Sequence, residues 1–267
     1  FHLAAQAIVS ESFYNPLNTI STNVVGTANV LESLKILEND CISVIITSDK
    51  SYHNSEWVWG YRETDKLGGH DIYSSSKSSA ELIIQSYFDS FLKDKKNIKI
   101  AVARAGNVIG GGDWSKDRII VDCFKAWSKN ETLTIRNPNA TRPWQHVLEP
   151  LSGYLTLAMK MKLSDKKING EAFNFGPDSS QNRSVQDLIN DMSYIWFKKK
   201  NYGYKIVKNL IFKESNLLKL NCDKANLILD WYPNLNYKQT IEYVSSWYIN
   251  YFSSKYSPKE ITFNQIN

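Results

Sequence analysis

Tyr73 and Lys77 are the first pair of residues in the sequence whose types and spacing could do chemistry. On a helix, residues four apart lie on one face, so this spacing puts an ammonium group beside a phenol. A unit charge about 4 Å away, at an effective dielectric near 20, is worth roughly 4 kcal/mol, which is about three pKa units. The tyrosine pKa would then fall from about 10 towards about 7, where the phenolate can take a proton from a sugar or alcohol hydroxyl. Because the same spacing is common on surface helices, the pair alone leaves a purely structural interpretation open.

Three polar residues follow a short apolar run in the first half of the chain. Residues 41–47 are rich in β-branched side chains and predict a buried parallel strand, and Ser48, Asp49 and Lys50 come directly after it. In open parallel sheets, ligands bind at the carboxyl ends of the strands, where these side chains could supply a hydrogen-bond donor, an acid and a base. Ser and Asp are also favoured as local caps, and that alternative stays open. Segment 104–110, which follows the next strand, adds an amide and glycines that allow a close backbone approach.

The elements that must position these residues alternate between helix and strand. Apolar spacing predicts helices over 17–37 and 73–92, and β-branched runs predict strands over 41–47 and 98–103. Strand, helix and strand with long crossovers indicate a parallel sheet covered by helices. Later elements are shorter and predict a smaller lobe, with helices over 119–129, 147–161, 184–197 and 237–252, and strands near Leu133 and over 172–175.

The composition excludes several classes of protein. With 267 residues, of which 42% are hydrophobic and 22% charged, the chain is large enough for a substantial core and is typical of a folded globular protein. No apolar run approaches the roughly 20 residues needed to cross a bilayer, so we predict no membrane partner. Three distant cysteines and four scattered histidines predict a reducing compartment and no metal site. The net charge of +5, without a basic stripe interleaved with aromatic residues, predicts a small anionic ligand and no nucleic acid.

Taken together, these residues resemble the extended short-chain dehydrogenase/reductase family. The Tyr-x-x-x-Lys segment comes after a strand that ends in Ser-Asp, and the opening His2-Leu-Ala-Ala-Gln6 is similar to the family's cofactor-side loop. Thr22-Asn-Val-Val-Gly-Thr27 is similar to the helix that follows that loop. Further blocks along nearly the whole chain are similar to the CDP-glucose 4,6-dehydratases of the family: Glu56-Trp-Val-Trp-Gly-Tyr-Arg-Glu63, Leu67-Gly-Gly-His-Asp71, Gly106-Asn-Val-Ile-Gly-Gly-Gly-Asp-Trp114, Ile135-Arg-Asn-Pro-Asn-Ala-Thr-Arg-Pro-Trp-Gln-His-Val147 and Asp223-Lys-Ala225.

The resemblance implies a fold and a cofactor. The fold is α/β, a Rossmann-like doubly wound parallel sheet with a smaller mixed α/β lobe that binds the nucleotide sugar. The implied domains are 1–117, the remainder of the NAD-binding domain, and 118–267, mainly the substrate lobe with some segments that return to the sheet. The implied cofactor is NAD, held by Tyr73, Lys77, Leu3, Ala4, Ala5, Gln6 and Thr22.

The resemblance also implies a reaction, the NAD-dependent dehydration of CDP-D-glucose to CDP-4-keto-6-deoxy-D-glucose in deoxysugar and surface-polysaccharide biosynthesis. Tyr73, assisted by Ser48, would take the proton of the sugar 4-hydroxyl, and Lys77 would lower the pKa of Tyr73. By position, Asp49 is the candidate acid and Lys50 the candidate base, although related dTDP-sugar enzymes place Glu where Lys50 stands.

Substrate contacts are implied at Ser48 and, around the nucleotide diphosphate, at Asn107, Arg118 and Arg142. A guanidinium fork matches phosphate oxygens, but a surface salt bridge is the alternative for Arg142. Other residues admit both a site and a packing interpretation. Packing or capping is favoured for His146 and packing for Cys41 and Cys123, whereas Trp57, Trp59 and Trp114 line either the sugar pocket or the core.

Two alternative functions remain open from the sequence. One is a nucleotide-sugar epimerase or decarboxylase of the same fold, and the other is a non-catalytic fragment. The second is motivated by the lack of an early G-x-x-G-x-x-G turn, which holds the cofactor pyrophosphate in this family. We therefore expect the given chain to begin inside the dinucleotide-binding half and to bind NAD poorly or not at all. The resemblance to the family implies that the protein is cytoplasmic and forms a homodimer or homotetramer through helices like those at 17–37 and 73–92.

Overall fold

The computed structural model describes residues 1–163, 167–178, 181–198, 203–207 and 217–267. Its α-helices are α1 (Val9–Tyr14), α2 (Pro16–Ile20), α3 (Gly26–Ile36), α4 (Ile72–Tyr87), α5 (Ile119–Ser128), α6 (Leu148–Lys162), α7 (Val185–Phe197), α8 (Tyr237–Phe252) and α9 (Pro258–Ile266). Its strands are β1 (Cys41–Ile46), β2 (Ile98–Ala105), β3 (Val108–Ile109), β4 (Leu133–Ile135), β5 (Thr141–Pro143), β6 (Gln145–His146), β7 (Ala172–Phe175), β8 (Asn182–Ser184) and β9 (Tyr204–Ile206).

The chain divides into two compact units. The first contains Phe1–Gly106, Pro150–Gly176 and Lys219–Tyr232, and the second contains Asn107–Glu149, Pro177–Leu218 and Pro233–Asn267. The division expected at 117/118 concerned ligands, a cofactor part and a substrate part, and it stays a prediction.

The first unit is built on a parallel sheet in the order β1-β2-β7. The pairing of β1 with β2 runs from Cys41 opposite Ile98 to Ile46 opposite Ala103. At the other edge of β1, His2 adds a parallel bridge to Ile45. The predicted parallel sheet is therefore confirmed, and the opening residues of the chain lie beside its β1 edge.

Side-chain alternation along β2 explains why both faces of this sheet are covered. Ile98, Ile100 and Val102 pack into a cluster with residues of α3 and α4, whereas Ala101 and Ala103 pack into a second cluster with residues of α6 and β7. Successive side chains of a strand point to opposite faces, so an apolar run of this kind needs a helical layer on each side. The sheet is consequently sandwiched between helices.

The two long helices predicted in the first unit are present, and each contains a π-helical turn. The predicted helix 17–37 is a continuous run of α2, the π turn Ser21–Val25 and α3, and the predicted helix 73–92 is α4 followed by the π turn Phe88–Leu92. Pro16 occupies the first turn of α2, as expected from its fixed φ. Asp71 begins α4 as its cap, because its carboxylate accepts a hydrogen bond from the Ser74 backbone N–H at 2.9 Å.

The second unit contains short strand pairs around one aromatic and aliphatic core. The pairs β3-β6 and β4-β9 are parallel, and β5-β8 is antiparallel. Residues of α5, α7 and α8 fill the core between them, with Phe124 stacked on Tyr248 at a ring-centroid distance of 4.3 Å. The helices predicted over 119–129, 184–197 and 237–252 are confirmed as α5, α7 and α8. In the parts of the chain that are described, no helix has both the length and the apolar character needed to cross a membrane.

Candidate active site

Ser48, Asp49 and Lys50 form a tight turn at the carboxyl end of β1. Ser48 caps the 3₁₀ turn Asp49–Ser51, since its Oγ accepts a hydrogen bond from the Lys50 N–H at 3.2 Å and donates one to Asp49 Oδ1 at 3.0 Å. Ser48 and Asp49 are buried and Lys50 is half-buried. The capping interpretation is therefore correct, and it fixes the hydroxyl and the carboxylate against each other at the end of the strand.

Gly106 leaves space for the Asp49 carboxylate because it has no side chain. It comes directly after β2, and a Cβ atom at this position would lie 1.9 Å from Asp49 Oδ2. Because no real contact is that short, only glycine leaves the carboxylate where it is. The carboxyl ends of β1 and β2 thus meet at this point, as the parallel register requires.

Tyr73 and Lys77 are both buried, at 7% and 6% exposure, on the face of α4 that packs against the sheet. Ser78, the next residue of the helix, donates a hydrogen bond to the backbone carbonyl of Ser51 at 2.8 Å. This bond ties α4 to the turn that carries Asp49. Burial lowers the pKa of Lys77 to about 8, against an opposing effect of the Glu81 carboxylate. Tyr73 and Lys77 are therefore not a pair on a surface helix.

The opening segment lies close to Lys77. The His2 N–H donates to the Val44 carbonyl at 2.9 Å, and the Ile46 N–H donates to the His2 carbonyl at 3.1 Å. The pKa of His2 is lowered first by burial and second by the positive charge of Lys77, so the two side chains interact electrostatically. Residues 3–6 continue from this bridge, and Leu3 and Ala4 are exposed.

Gln6 is fixed by the π turn that follows α2. Its backbone N–H donates to Asn23 Oδ1 at 2.8 Å, and its side-chain amide donates to Thr19 at 2.8 Å. The Asn23 amide in turn donates to Ser76 Oγ, at 2.9 Å, on α4. The neighbouring residue, Thr22, is half-buried. Of the predicted cofactor residues, Gln6 is therefore joined through Asn23 to the helix that carries Tyr73 and Lys77.

Sequence reasoning missed a buried polar network next to Lys77. Glu81 forms an ion pair with Arg104, whose Nε donates to both carboxylate oxygens at 2.9 and 2.8 Å, and it accepts a hydrogen bond from Thr47 at 2.6 Å. Arg104 also donates to the Tyr52 hydroxyl at 2.6 Å, which donates to Asn174 at 2.8 Å. The sequence does not single out this network, because five of the eight buried residues of α4 are polar: Ser74, Ser76, Lys77, Ser78 and Glu81.

Of the predicted substrate residues, Ser48 belongs to the first unit, and Asn107, Arg118 and Arg142 belong to the second. Asn107 adopts the left-handed conformation, with φ of 54°, and its carbonyl accepts from the Gln145 N–H at 3.2 Å. Arg118 is exposed at the start of α5. Arg142 lies on β5 directly opposite Arg183 on β8, a residue that sequence reasoning did not select. The Arg142 guanidinium donates to the Thr141 carbonyl at 2.8 Å, and the Arg183 guanidinium lies 5.4 Å from the centre of the Tyr237 ring.

The residues with two open interpretations mostly pack. Trp114 lies in an aromatic cluster with Tyr248 and Tyr251, and Cys123 is fully buried. His146 is buried and its Nδ1 accepts from the Leu148 N–H at 3.4 Å, while burial lowers its pKa to about 4. It is therefore a neutral packing and capping residue, placed on β6 just before the first residue of α6.

Three further residues of this group remain accessible to solvent. Cys41 is half-buried at the start of β1 and packs against the cluster formed by β2, α3 and α4, as expected. Trp57 stacks on Tyr61, with a ring-centroid distance of 5.1 Å, and Trp59 is 70% exposed.

The groups at this end of the first unit fit NAD in kind. A buried ammonium, a phenol and the exposed residues Leu3 and Ala4 are suited to a ribose and to neighbouring polar groups of a dinucleotide. Among the described residues, no group of three or more His, Cys, Asp and Glu side chains is arranged to hold a metal ion.

Comparison with known proteins gives one family and several similar proteins. The profile of the family described as GDP-mannose 4,6 dehydratase matches residues 1–244. A CDP-glucose 4,6-dehydratase of Salmonella typhimurium is 42% identical over 252 residues, which cover 93% of this chain and 69% of the relative.

Solved structures show the same fold at lower identity. The structure of dTDP-glucose 4,6-dehydratase from Bacillus anthracis in complex with NAD matches with a TM-score of 0.76 at 20% identity, covering 93% of this chain and 71% of that one. UDP-glucose 4-epimerase from Thermotoga maritima with UDP-glucose matches with a TM-score of 0.78 at 22% identity, covering 96% and 77%. These similarities confirm the predicted Rossmann-like α/β fold.

Proposed function

We propose that this protein, which belongs to the GDP-mannose 4,6-dehydratase family, converts CDP-D-glucose to CDP-4-keto-6-deoxy-D-glucose and water. The observation that carries the proposal is the buried Tyr73–Lys77 pair, tied through the bond from Ser78 to Ser51 to the turn that holds Ser48 and Asp49. The choice of CDP-glucose is supported by the 42% identity to the Salmonella typhimurium CDP-glucose 4,6-dehydratase.

The net reaction moves a hydrogen within one sugar. Carbon 4 loses a hydride and its hydroxyl proton and becomes a ketone, and the proton on carbon 5 and the hydroxyl on carbon 6 leave as water. Carbon 6 then receives the hydride and becomes a methyl group, and carbon 5 receives a proton. No external reductant is consumed, because NAD, when bound, supplies a reversible acceptor for the hydride. The residues proposed to hold it are Tyr73, Lys77, Thr22 and the segment from Leu3 to Gln6.

Tyr73 is the proposed base for the 4-hydroxyl, with Ser48 as a hydrogen-bonding assistant. A phenol can take this proton near neutral pH only if a nearby positive charge favours the phenolate. Lys77, one turn away on the same buried face, is the group that supplies the charge. Its burial makes the effect strong, because the interaction is poorly screened by water.

Asp49 is the proposed acid that protonates the departing 6-hydroxyl, and Lys50 is the proposed base that removes the hydrogen on carbon 5. A ketone at carbon 4 acidifies that hydrogen, so the base acts after oxidation. Ser48 Oγ and Gly106 restrain the Asp49 carboxylate from two sides, which suits a group that must transfer a proton in a fixed direction.

The nucleotide diphosphate is proposed to bind Asn107, Arg118 and Arg142. A guanidinium fork matches phosphate oxygens, which supports this assignment for Arg142. We place the product in deoxysugar synthesis for a surface polysaccharide, in the cytoplasm, and we expect the protein to act as a homodimer or homotetramer.

Mass spectrometry of the products tests reaction and substrate together. The protein is incubated with NAD and, separately, with CDP-, dTDP-, UDP- and GDP-linked hexoses. We expect loss of one water from CDP-glucose and little from the others. A product of unchanged mass with an inverted carbon 4 would favour an epimerase, and no change with any hexose, with NAD shown to be bound, would overturn the proposal.

The substitution Asp49→Asn separates dehydration from the other reactions of this fold. The variant keeps the shape of the side chain but removes the transferable proton. We expect oxidation at carbon 4 to persist, which a single turnover shows as absorbance of the reduced form of the nicotinamide. Water loss should slow by about 100-fold or more. An unchanged rate of water loss would contradict the role of Asp49.

A further inference from the structure

A second buried charge lies one turn beyond Lys77 on α4. Glu81 is 4% exposed, and its carboxylate is paired with Arg104 on β2, which is also 4% exposed. Buried carboxylates are costly unless they are paired and hydrogen-bonded, and this one has a guanidinium and the Thr47 hydroxyl as donors. Its position is therefore fixed from β2 and from the end of β1.

Lys77 and Glu81 are neighbours on the helix surface. Residues four apart lie about 6 Å from each other, and both side chains face the buried side of α4. An ammonium removed from water tends to lose its proton, whereas a nearby carboxylate favours the charged form. Burial and Glu81 act on Lys77 in these opposite directions, and the outcome is a pKa of about 8.

Other charged groups surround this helix from the elements packed against it. The charge of Lys77 contributes to the lowered pKa of His2 in the opening segment, and Arg104 forms an ion pair with Glu81. The remaining titratable groups on these elements and on the helix itself include Glu11, Tyr14, Glu32, Lys35, Cys41, Asp49, Lys50, Tyr52, Tyr73, Tyr87 and Lys99.

We propose that Glu81 is a positioning residue that keeps Lys77 charged at neutral pH, and that Arg104 and Thr47 set how strongly it does so. The inference rests on the proposed function in giving this charge a purpose, the activation of Tyr73. Arg104 offsets part of the negative charge of Glu81. Glu81 therefore raises the pKa of Lys77 less than an unpaired carboxylate would. Tyr52 and Asn174 hold the far side of Arg104 and keep that balance fixed.

Titration of Lys77 in the 267-residue protein tests the inference without any sugar nucleotide. The protein is labelled with ¹³C at lysine Cε, and the Lys77 signal is assigned by its loss in Lys77→Arg. A full charge about 6 Å away at an effective dielectric near 20 shifts a pKa by about two units, and Arg104 offsets part of this. We therefore expect Glu81→Gln to lower the pKa of Lys77 by about one unit.

Two further variants separate charge from packing. Glu81→Asp keeps the charge but shortens the side chain, so it should change the pKa of Lys77 less than Glu81→Gln does. Glu63→Gln is a matched control, because Glu63 is a half-buried carboxylate that accepts from the Asn174 N–H at 2.8 Å at the other end of the network. It should leave Lys77 unchanged. A larger shift in Glu81→Asp than in Glu81→Gln would overturn the inference.

If Glu81→Gln does not fold, Glu81→Gln/Arg104→Met replaces both charges with side chains of similar length and leaves no unpaired buried ion. The pKa of Lys77 should again fall, and an unchanged value in the double variant would also overturn the inference. In turnover assays with NAD, the alkaline limb of kcat should move to lower pH by the same amount. An unchanged pKa of Lys77 in the Glu81 variants would contradict the role of Glu81. Absence of dehydration in the unmodified protein would instead contradict the proposed function.

Discussion

The ammonium of Lys77 makes the proposed reaction sensitive to alkaline pH. Its burial lowers its pKa to about 8, so the side chain is charged below that pH and loses its charge as the pH rises through it. Because the charge is needed to activate Tyr73, we expect kcat to fall about tenfold per pH unit above about pH 8. The measurement is kcat against pH with saturating substrate.

The matched variant for this prediction is Lys77→Arg. A guanidinium stays protonated across the whole range, so the alkaline fall should disappear even if the overall rate is lower. An alkaline fall of the same midpoint in Lys77→Arg would assign it to another group.

Gly106 is predicted to be essential for a reason of space. A Cβ atom at this position meets Asp49 Oδ2 at 1.9 Å, so Gly106→Ala must displace the proposed acid. A displacement of about 1 Å at a reacting group can cost about 100-fold in rate, and we expect that loss in dehydration while oxidation at carbon 4 is less affected. Rates of both steps in a single turnover provide the measurement.

Gly203→Ala is the control, since a Cβ at that position has no atom within 4 Å among the described residues, its chain neighbours apart. Its dehydration rate should stay within about twofold of the original. Equal losses in both variants would show that the Gly106 contact does not restrain Asp49.

At the residue scale, the sequence predicted the groups with local signals. The spacing of Tyr73 and Lys77 and the position of Ser48 after a strand can be recognised from chain neighbours alone. The pair of Glu81 with Arg104 could not, because it joins a helix to a strand 23 positions away and depends on how α4 lies on the sheet. Buried polar partners of this kind carry no periodic signal.

At the element scale, Ser78 is predicted to fasten α4 to the turn after β1. Its Oγ donates to the Ser51 carbonyl at 2.8 Å, and Ser78→Ala leaves that buried carbonyl without this donor. We expect a loss of about 1–2 kcal/mol in the free energy of unfolding, together with a lower kcat, since the turn carries Asp49. Urea unfolding and turnover assays measure the two effects.

Ser86→Ala is the matched control on the same helix. Ser86 is exposed, and its Oγ donates to the Leu82 carbonyl at 2.9 Å within the helix. This substitution should be neutral or slightly stabilising, because alanine is the better helix former. A similar loss of stability in both variants would mean that the bond to Ser51 is not what matters.

Helices were predicted to within one residue at their ends when an apolar stripe marked them, as at 16–36 and 72–92. The π turns within them were not, because one extra residue in a turn leaves the apolar spacing almost unchanged. The two-residue pair β3-β6 is too short to show the alternation that predicts a strand. Elements defined by tertiary pairing are thus the ones that the sequence does not reveal.

At the scale of the whole molecule, the surface of the first unit retains apolar side chains that its core does not use. Leu17 is 80% exposed and Ile36 73% exposed on the helical run 16–36, and Leu82 is 58% exposed on α4. Leu17 and Ile36 lie near opposite ends of that run, and the same two helices were predicted to join copies of the chain. A second copy that packs its own helices against them would bury these side chains.

We therefore expect Leu17→Lys/Leu82→Lys to convert an oligomer into a monomer. Sedimentation equilibrium should give the unmodified protein a mass of at least twice 30.7 kDa and the double variant a mass near 30.7 kDa. The control is Leu227→Lys, which charges an 87% exposed leucine on the π turn Ala225–Leu229 and should leave the mass unchanged. Because charges are costly in an apolar interface but not at an exposed site, only an interface on the two helices separates these variants. An oligomer that persists in Leu17→Lys/Leu82→Lys would place the contact elsewhere, and a monomeric unmodified protein at about 50 µM would contradict the predicted self-association.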